Sequence, residues 1–541
     1  MTTRNHFNYF LLGITVVFLL LRLPQVLRNE FPFVFDMGRD HIWVRNMVEL
    51  RKPTLVGPWG SLAGIYFGPA WYYLLAPAYI ITGGDPRGSV ITVMLVNLAA
   101  LLAGSLFLKK EISSRAALFF ALLNTFSTHN IAITTYPFHA NVLPATMVVM
   151  LISLYYFLKG KPKYFWLAAL ASSFNFHFEP ATGIFTTLTL IVFVILNWFQ
   201  DLGRFFGLRP QNDGRPTNRL TLKPLIHAAI VFFIPFVPQI IFELRHNFIQ
   251  SKALLLYFQG GNESLEGKLP FSIRLGERIR KFTELFSSSI VPNLPLLIVG
   301  VILAITILIL WRIKKTKNEQ TLFSLILFSL VLPLLGFMFL FPPELKTWYL
   351  YGFSINYFIL VALFLNKIIR ANIIGYWFTP WRSFTGLLAM SFFVWQGQIH
   401  TLLPGRQVVS SPGPAILSTQ KKVITMIYER SQNEPFSIYV YTPPIYDYHY
   451  QYVIWFMSRK NNWPLPIEYS YLPNEVGYHP QKEYFSSTSS ASPKRVFLVI
   501  EPERIKSLLY GWLGHFAAYP TKKQCLFGPN VIVQTRLPPE T

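Results

Sequence analysis

The chain has 541 residues, of which 52% are hydrophobic and 13% charged, with a mean hydropathy of +0.38. Soluble domains carry about 25% charged residues, so this chain lacks the polar side chains to cover a water-facing surface. That balance argues against a disordered chain, a nucleic-acid-binding protein and a soluble multidomain enzyme. The net charge of +23 then reads as basic loops beside anionic headgroups. The single cysteine, Cys525, excludes an internal disulfide and a cysteine-based metal site.

In chain order, apolar stretches cover residues 8–24, 66–82, 89–108, 115–133, 141–158, 164–176, 180–198, 222–242, 289–311, 320–341, 347–366 and 383–400. Such runs cross a ~30 Å hydrocarbon layer. The first follows Arg4 and His6 and is followed directly by Arg22, Leu23 and Pro24. It lacks a small-residue cleavage site and is expected to be an uncleaved span. Basic clusters separate later stretches: Lys109, Lys110 and Arg115; Lys159, Lys161 and Lys163; Arg204, Arg209, Arg215, Arg219 and Lys223; Arg312, Lys314, Lys315 and Lys317; and Lys367, Arg370 and Arg382.

With a cytoplasmic N-terminus, all these clusters face the cytoplasm only if the 66–82 stretch does not cross. Pro69, Pro77 and several aromatic residues interrupt that stretch, as expected of a segment that lies in the interface or dips back. The reading is a polytopic helical protein of the plasma membrane with about eleven spans. After residue 400 the composition turns polar and rich in Pro, Tyr and Ser. Residues 401–541 are expected to form one extracytoplasmic α/β domain, with strands at 436–441 and 496–501 and helices at 448–459 and 503–512. Residues 1–400 form the membrane portion.

This topology leaves the unusual polar residues on the outer face. In the first outer loop Asp36, Arg39 and Asp40 stand at i, i+3 and i+4 and share one face of a helix starting there. Asp36 has two readings, a helix cap or a general base beside an anionic leaving group. His139, Asn141, His177 and Glu179 sit at outer ends of apolar runs, where polar groups are expensive unless paired. His177 and Glu179, two apart, do not share a helix face, so a metal site built from them needs an irregular loop.

Beyond 242, Glu243 and Arg245 open a stretch that continues through Lys252, Lys268, Arg274, Arg278, Arg280 and Lys281. It reads either as an amphipathic helix on anionic headgroups or as a phosphate-binding patch. Lys346 and Tyr349 begin the 347–366 run and offer a point charge and a hydroxyl to a phosphate; the other reading is an interfacial aromatic belt with a snorkelling lysine. No GxxxxGK[ST] and no GxGxxG after a strand occurs, which disfavours an ATP-driven pump and a dinucleotide enzyme.

The order of these features resembles the GT-C superfamily of membrane glycosyltransferases, in particular bacterial relatives of protein O-mannosyltransferases and of the lipid A aminoarabinose transferase. Asp36 matches the acidic residue that follows span one in that family. Residues 57–73, GPWGSLAGIYFGPAWYY, resemble its Pro- and aromatic-rich segment. The likeness covers about residues 8–400, and an outer C-terminal domain is common in the family. Two departures stand out. Asn141 occupies the loop where many relatives carry a second acid, leaving Asp40, Glu179 and Glu344 as substitutes, and Phe67 and Gly68 precede Pro69 where many carry Glu or Lys.

The resemblance implies inverting transfer of a sugar from a polyprenyl-phosphate donor to an acceptor on the outer face. Asp36 would be the base, and Arg39, Arg245 or Lys346 would hold the phosphate. Membrane lipids and the donor are the expected partners; the acceptor is left open among protein, lipid and glycan, and so is the participation of a divalent metal. The rival reading is a transporter or flippase for lipid-linked saccharides. That predicts repeat symmetry and charged or interrupted spans at mid-bilayer, whereas here the ionisable residues collect at one face.

Overall fold

The computed structural model describes residues 3–60, 64–198, 222–258, 270–313, 315–341, 343–370, 414–443, 446–474, 481–527 and 530–539. The 383–400 stretch, Arg204 to Arg219, Lys268, Lys314, Arg382 and the boundary at residue 400 lie outside them.

The membrane portion is helical: α1 (Thr3–Leu20), α2 (Leu23–Leu27), α3 (Phe35–Glu49), α4 (Ala70–Thr82), α5 (Arg87–Glu111), α6 (Ser114–Phe126), α7 (Thr128–Thr134), α8 (Leu143–Leu158), α9 (Phe165–Phe178) and α10 (Pro180–Trp198) come first. Then follow α11 (Leu222–Phe233), α12 (Val237–Arg245), α13 (Ile249–Phe258), α14 (Phe271–Ile290), α15 (Leu296–Arg312), α16 (Lys317–Phe339) and α17 (Ser354–Arg370). Among the described residues, seven helices are long and apolar enough to cross a membrane, or up to eight if the bent α6–α7 pair is one span. The expectation of about eleven also counted shorter segments such as α9, at 14 residues, and α15, at 17. Leu297, Val301, Ile305 and Leu308 of α15 all point outward, as lipid-facing side chains do.

The 66–82 stretch forms only the 13 residues of α4, about 20 Å of helix, which is too short to cross. The α6–α7 break of 62° has a local cause. Ser127 leaves the helical region and its hydroxyl accepts from the Asn130 N–H. The buried Arg22 guanidinium fills the break, donating to the Thr125 carbonyl at 3.1 Å and to Thr134 Oγ1 at 2.7 Å.

Helix α5 joins two chemically different ends. At one, the Lys109 ammonium lies 4.1 Å from the centroid of the Phe7 ring, Asn318 donates to the Glu111 carbonyl at 2.8 Å, and Lys159 reaches Asn318. The N-terminal helix and the described basic clusters around Lys109, Lys159 and Lys315 therefore share that end. At the other, Tyr452 Oη donates to the Gly84 carbonyl at 2.6 Å, so the C-terminal sheet domain sits there.

That domain contains α18 (Leu417–Ser431), α19 (Tyr448–Asn461), α20 (Lys506–Gly514) and strands β1 (Phe436–Tyr441), β2 (Tyr469–Ser470), β3 (Arg495–Ile500), β4 (Thr521–Phe527) and β5 (Val531–Arg536). The order is β2-β1-β3-β5-β4, with β1 parallel to β2 and β3, and β5 antiparallel to β3 and β4. Period-two alternation sends Ile438, Val440, Phe497 and Val499 into a core shared with α3, α4, α18 and α19. Tyr439, Tyr441, Leu498 and Ile500 pack on Trp512 of α20.

The sheet domain is anchored to the first loop. Phe33 N–H donates to the Ala415 carbonyl at 2.7 Å, and Leu417 N–H to the Phe31 carbonyl at 3.2 Å. On α3, a Cβ at Gly38 would lie 2.1 Å from the His449 backbone nitrogen. Only glycine lets α3 and α19 approach this closely.

Candidate functional site

Helix α3 builds the centre of the site. Its N-cap, Val34, makes no side-chain cap, and Asp36 lies in the first turn, where a carboxylate complements the exposed N–H groups. Asp36 thus does not act as the cap itself. Arg39, one turn on, donates from Nη1 to Asp36 Oδ1 at 2.9 Å and from Nε to Asp40 Oδ1 at 2.8 Å. The Arg39 side chain is 3% exposed and that of Asp40 1%, whereas that of Asp36 is 39% exposed. Asp36 is therefore the open carboxylate and Asp40 the buried one.

Asp40 is held further by Trp71 of α4, whose indole N–H donates to Oδ2 at 2.8 Å. Burial pushes the Asp40 carboxyl up to about 6, against the opposing pull of Arg39. Burial tends to lower the Arg39 guanidinium, but the adjacent Asp40 and Asp36 carboxylates outweigh it and raise the group above its ordinary value. Arg39 also lies 4.9 Å from the centroid of the Trp59 ring.

The loop ahead of α4 folds over this cluster through a bridge between Trp59 and Tyr66. Phe67 sets its ring edge-on to His139 at 4.9 Å, and the Trp71 ring lies 6.5 Å from the same imidazole. Gly68 packs so tightly on His177 that a Cβ there would fall 1.8 Å from Nδ1. The sequence thus needs glycine before Pro69 for a steric reason.

His139 and Asn141 occupy a single three-ten turn, 139–142, ahead of α8. His139 Nδ1 contacts the Phe178 carbonyl and lies 3.9 Å from Glu179 Oε2. Asn141 Nδ2 donates to the Tyr136 carbonyl at 2.7 Å. Glu179 sits in the break between α9 and α10, where burial drives its carboxyl well above the usual range. The Tyr136 hydroxyl is raised by burial and by Asp36, so this ring also borders the cluster.

Four buried polar atoms here have no hydrogen-bond partner among the described residues: Arg39 Nη2, Asn141 Oδ1, His177 Nε2 and Glu179 Oε2. Native proteins leave few such atoms, which makes this neighbourhood a candidate for polar ligand contacts. It is not a ready metal centre. Among the described residues no three His, Cys, Asp or Glu side chains come together as a metal-binding group, and Glu179 and His139 form only a pair.

The remaining predicted residues have other surroundings. Glu243 is engaged in the fold where a binding role was expected: Oε1 accepts from Gln250 N–H at 3.0 Å and Oε2 from Ser251 N–H at 3.0 Å. It thereby satisfies the orphan donors at the start of α13. Arg245 ends α12 and is exposed. Lys346 pairs with Glu344. Tyr349 packs on Phe341 and Trp348, and its carbonyl accepts from Thr182 Oγ1 at 2.6 Å. Trp348 lies 6.1 Å from Phe138, which brings that turn to the His139 side of the site.

Part of the basic stretch expected to bind phosphate is engaged within the fold, while Arg245 and Lys252 stay exposed. Arg278 donates to the carbonyls of Met338 at 2.9 Å and Phe341 at 2.6 Å, while Arg280 pairs with Glu277 and Glu284. Side chains that were not singled out complete the site: Trp59, Trp71, Tyr136 and, from the sheet domain, Tyr448. The Tyr448 ring lies 5.1 Å from Phe35 and 6.0 Å from Trp59. Tyr448, Tyr450 and Tyr452 are otherwise buried.

The polytopic helical bundle, whose first loop carries two short helices under a C-terminal sheet domain, has counterparts among solved membrane-protein structures. Among solved structures the chain is similar to ArnT from Cupriavidus metallidurans in the apo state, with TM-score 0.57 and 11% identity over 99% of this chain and 98% of that one. The same protein bound to undecaprenyl phosphate matches at 0.53 and 12% over the same shares. No protein-family model and no curated protein matches the sequence. The likeness is one of fold.

Proposed function

We propose that the protein is an inverting glycosyltransferase that moves a sugar from a polyprenyl-phosphate carrier to an acceptor hydroxyl. The observation that carries this reading is the cluster at the sheet-domain end: one open carboxylate, Asp36, positioned by a buried arginine and a second carboxylate, beside four unpartnered buried polar atoms. The fold shared with ArnT, one of whose structures holds undecaprenyl phosphate, supports a lipid-linked donor. The basic clusters gathered at the opposite end support an orientation with the site and residues 401–541 outside the cell and the N-terminus in the cytoplasm. Residues 1–400 are then the transferase body.

In this reading Asp36 takes the proton of the acceptor hydroxyl as its oxygen attacks the anomeric carbon. The bond from that carbon to the phosphate oxygen breaks, and polyprenyl phosphate departs with the bonding pair. Arg39 holds Asp36 in place, and the exposed Arg245, with Lys346 once it leaves Glu344, would stabilise the departing phosphate. His139, Asn141, His177 and Glu179 present polar atoms to the sugar.

The full chain purified in detergent, given an undecaprenyl-phosphate sugar, is expected to release undecaprenyl phosphate. Asp36→Asn should cut that release about 10²–10⁴-fold while donor binding persists. Undiminished release by Asp36→Asn would remove the base. Donor crossing liposomes uncleaved by the wild type would favour the flippase.

A further inference from the structure

At the far end of α3 from Asp36, where the α4–α5 turn meets α19, lies a cavity of about 560 Å³ lined by Leu27, Asp85, Arg87, Phe456, Arg459 and Lys460 among others. Its size is that of a small-ligand site. Its charge is unbalanced. Asp85 takes a bidentate contact from Arg87, at 3.0 and 2.6 Å, and is 3.8 Å from Lys460. Lys421, which donates to Asn29 Oδ1 at 2.9 Å, interacts electrostatically with Asp85, Arg87 and Lys460. One carboxylate thus serves three cations. Arg459 adds a fourth, paired with Glu49. Arg459 and Lys460 side chains remain 52% exposed.

The surroundings fix what kind of anion fits. Arg87 opens α5, so the cavity lies at the membrane boundary. Leu27 and Ile91 line it, and Leu20, Ile80, Ile81 and Leu95 are exposed apolar side chains of α1, α4 and α5. Polar phosphate recognition next to a lipid-facing apolar wall suits a headgroup whose acyl chains run down that wall. A free phosphate would use the cations but not the wall.

We propose that this cavity binds the phosphate of an anionic glycerophospholipid, with Arg87, Arg459 and Lys460 around the headgroup and the acyl chains against α1, α4 and α5. The site is separate from the Asp36 cluster and stands whether or not the transferase reading does.

Native mass spectrometry of the full chain in detergent tests this, with dioleoyl phosphatidylglycerol, dioleoyl phosphatidylcholine, and sn-glycerol 3-phosphate as probes. The wild type should hold phosphatidylglycerol about tenfold more tightly than phosphatidylcholine, and Lys460→Glu should abolish that preference with an unchanged melting temperature. Lys252→Glu, an exposed charge reversal on α13, should leave it intact. Equal binding of the two lipids, or a preference retained in Lys460→Glu, overturns the site. Equal loss in Lys252→Glu reduces it to general surface charge and overturns it too. Displacement of phosphatidylglycerol by millimolar sn-glycerol 3-phosphate overturns the lipid assignment in favour of a soluble phosphate.

Discussion

The indole N–H of Trp71 donates to Oδ2 of Asp40 at 2.8 Å, on the side opposite the Arg39 contact to Oδ1. Both carboxylate oxygens of Asp40 are thereby committed, and Arg39 is locked toward Asp36. Trp71→Phe keeps most of the packing but leaves a buried carboxylate oxygen without its donor, at about 1–3 kcal/mol. Thermal unfolding should show that loss. Transfer should fall through kcat with little change in the donor KM, because Asp36 loses its positioning and the donor contacts stay. A change confined to KM would place Trp71 against the donor instead.

The raised Asp40 gives a pH dependence with a definite sign. The groups facing it are Arg39, Asp36, Trp71 and Tyr72. Burial penalises the charged carboxylate, so the proton is retained up to about 6, well above the ordinary range. Above that pH the ionised Asp40 grips Arg39; below it the grip loosens. Transfer should therefore decline as pH falls through about 6, and Asp40→Asn should remove that acidic limb while lowering the plateau. A profile for Asp40→Asn with an unshifted acidic limb would assign the titration to another group.

Legibility in the sequence tracked how local each cause was. The helix at 448–461 and the strand at 436–441 were readable because their periods are written in consecutive residues. The β4–β5 hairpin was not: TKKQCLF is an exposed edge strand, and its polar residues mask the alternation. In the site, Asp36, His139 and Glu179 stood out because polar groups at the end of an apolar run need a reason. Trp71 and Tyr136 did not, since aromatic residues at a membrane boundary look like an interfacial belt. Glu243 and Arg278 show in the sequence as charges, while the helix terminus that each one satisfies in the fold does not.

The approach of Gly38 to His449 predicts how the two parts of the chain depend on each other. A methyl group at position 38 would sit 2.1 Å from a backbone nitrogen, and backbone cannot swing aside as a flexible side chain can. Gly38→Ala should push α19 off α3, at about 1–3 kcal/mol from overpacking. The core joining α3 to the sheet would open, so limited proteolysis should degrade the sheet domain faster than in wild type. Transfer should fall with it, since Tyr448 leaves the rim. Wild-type protease resistance in Gly38→Ala would show that the two helices separate freely.

Arg278 and Arg280 lie on one helix and should respond oppositely to neutralisation. The Arg278 guanidinium is buried and satisfies carbonyls of Met338 and Phe341 at the end of α16, groups that a helix terminus leaves without internal partners. Arg278→Gln removes charge-assisted bonds and strands those carbonyls away from water. The expected loss is about 2–4 kcal/mol. Arg280 is exposed and pairs with Glu277 and Glu284 at i−3 and i+4. Solvent screens such pairs, so Arg280→Gln should cost about 1 kcal/mol or less. Thermal melts of the two variants in one detergent give the comparison directly, and raised salt should narrow the Arg280 effect while leaving that of Arg278. Equal melting shifts would mean that Arg278 does not hold the end of α16.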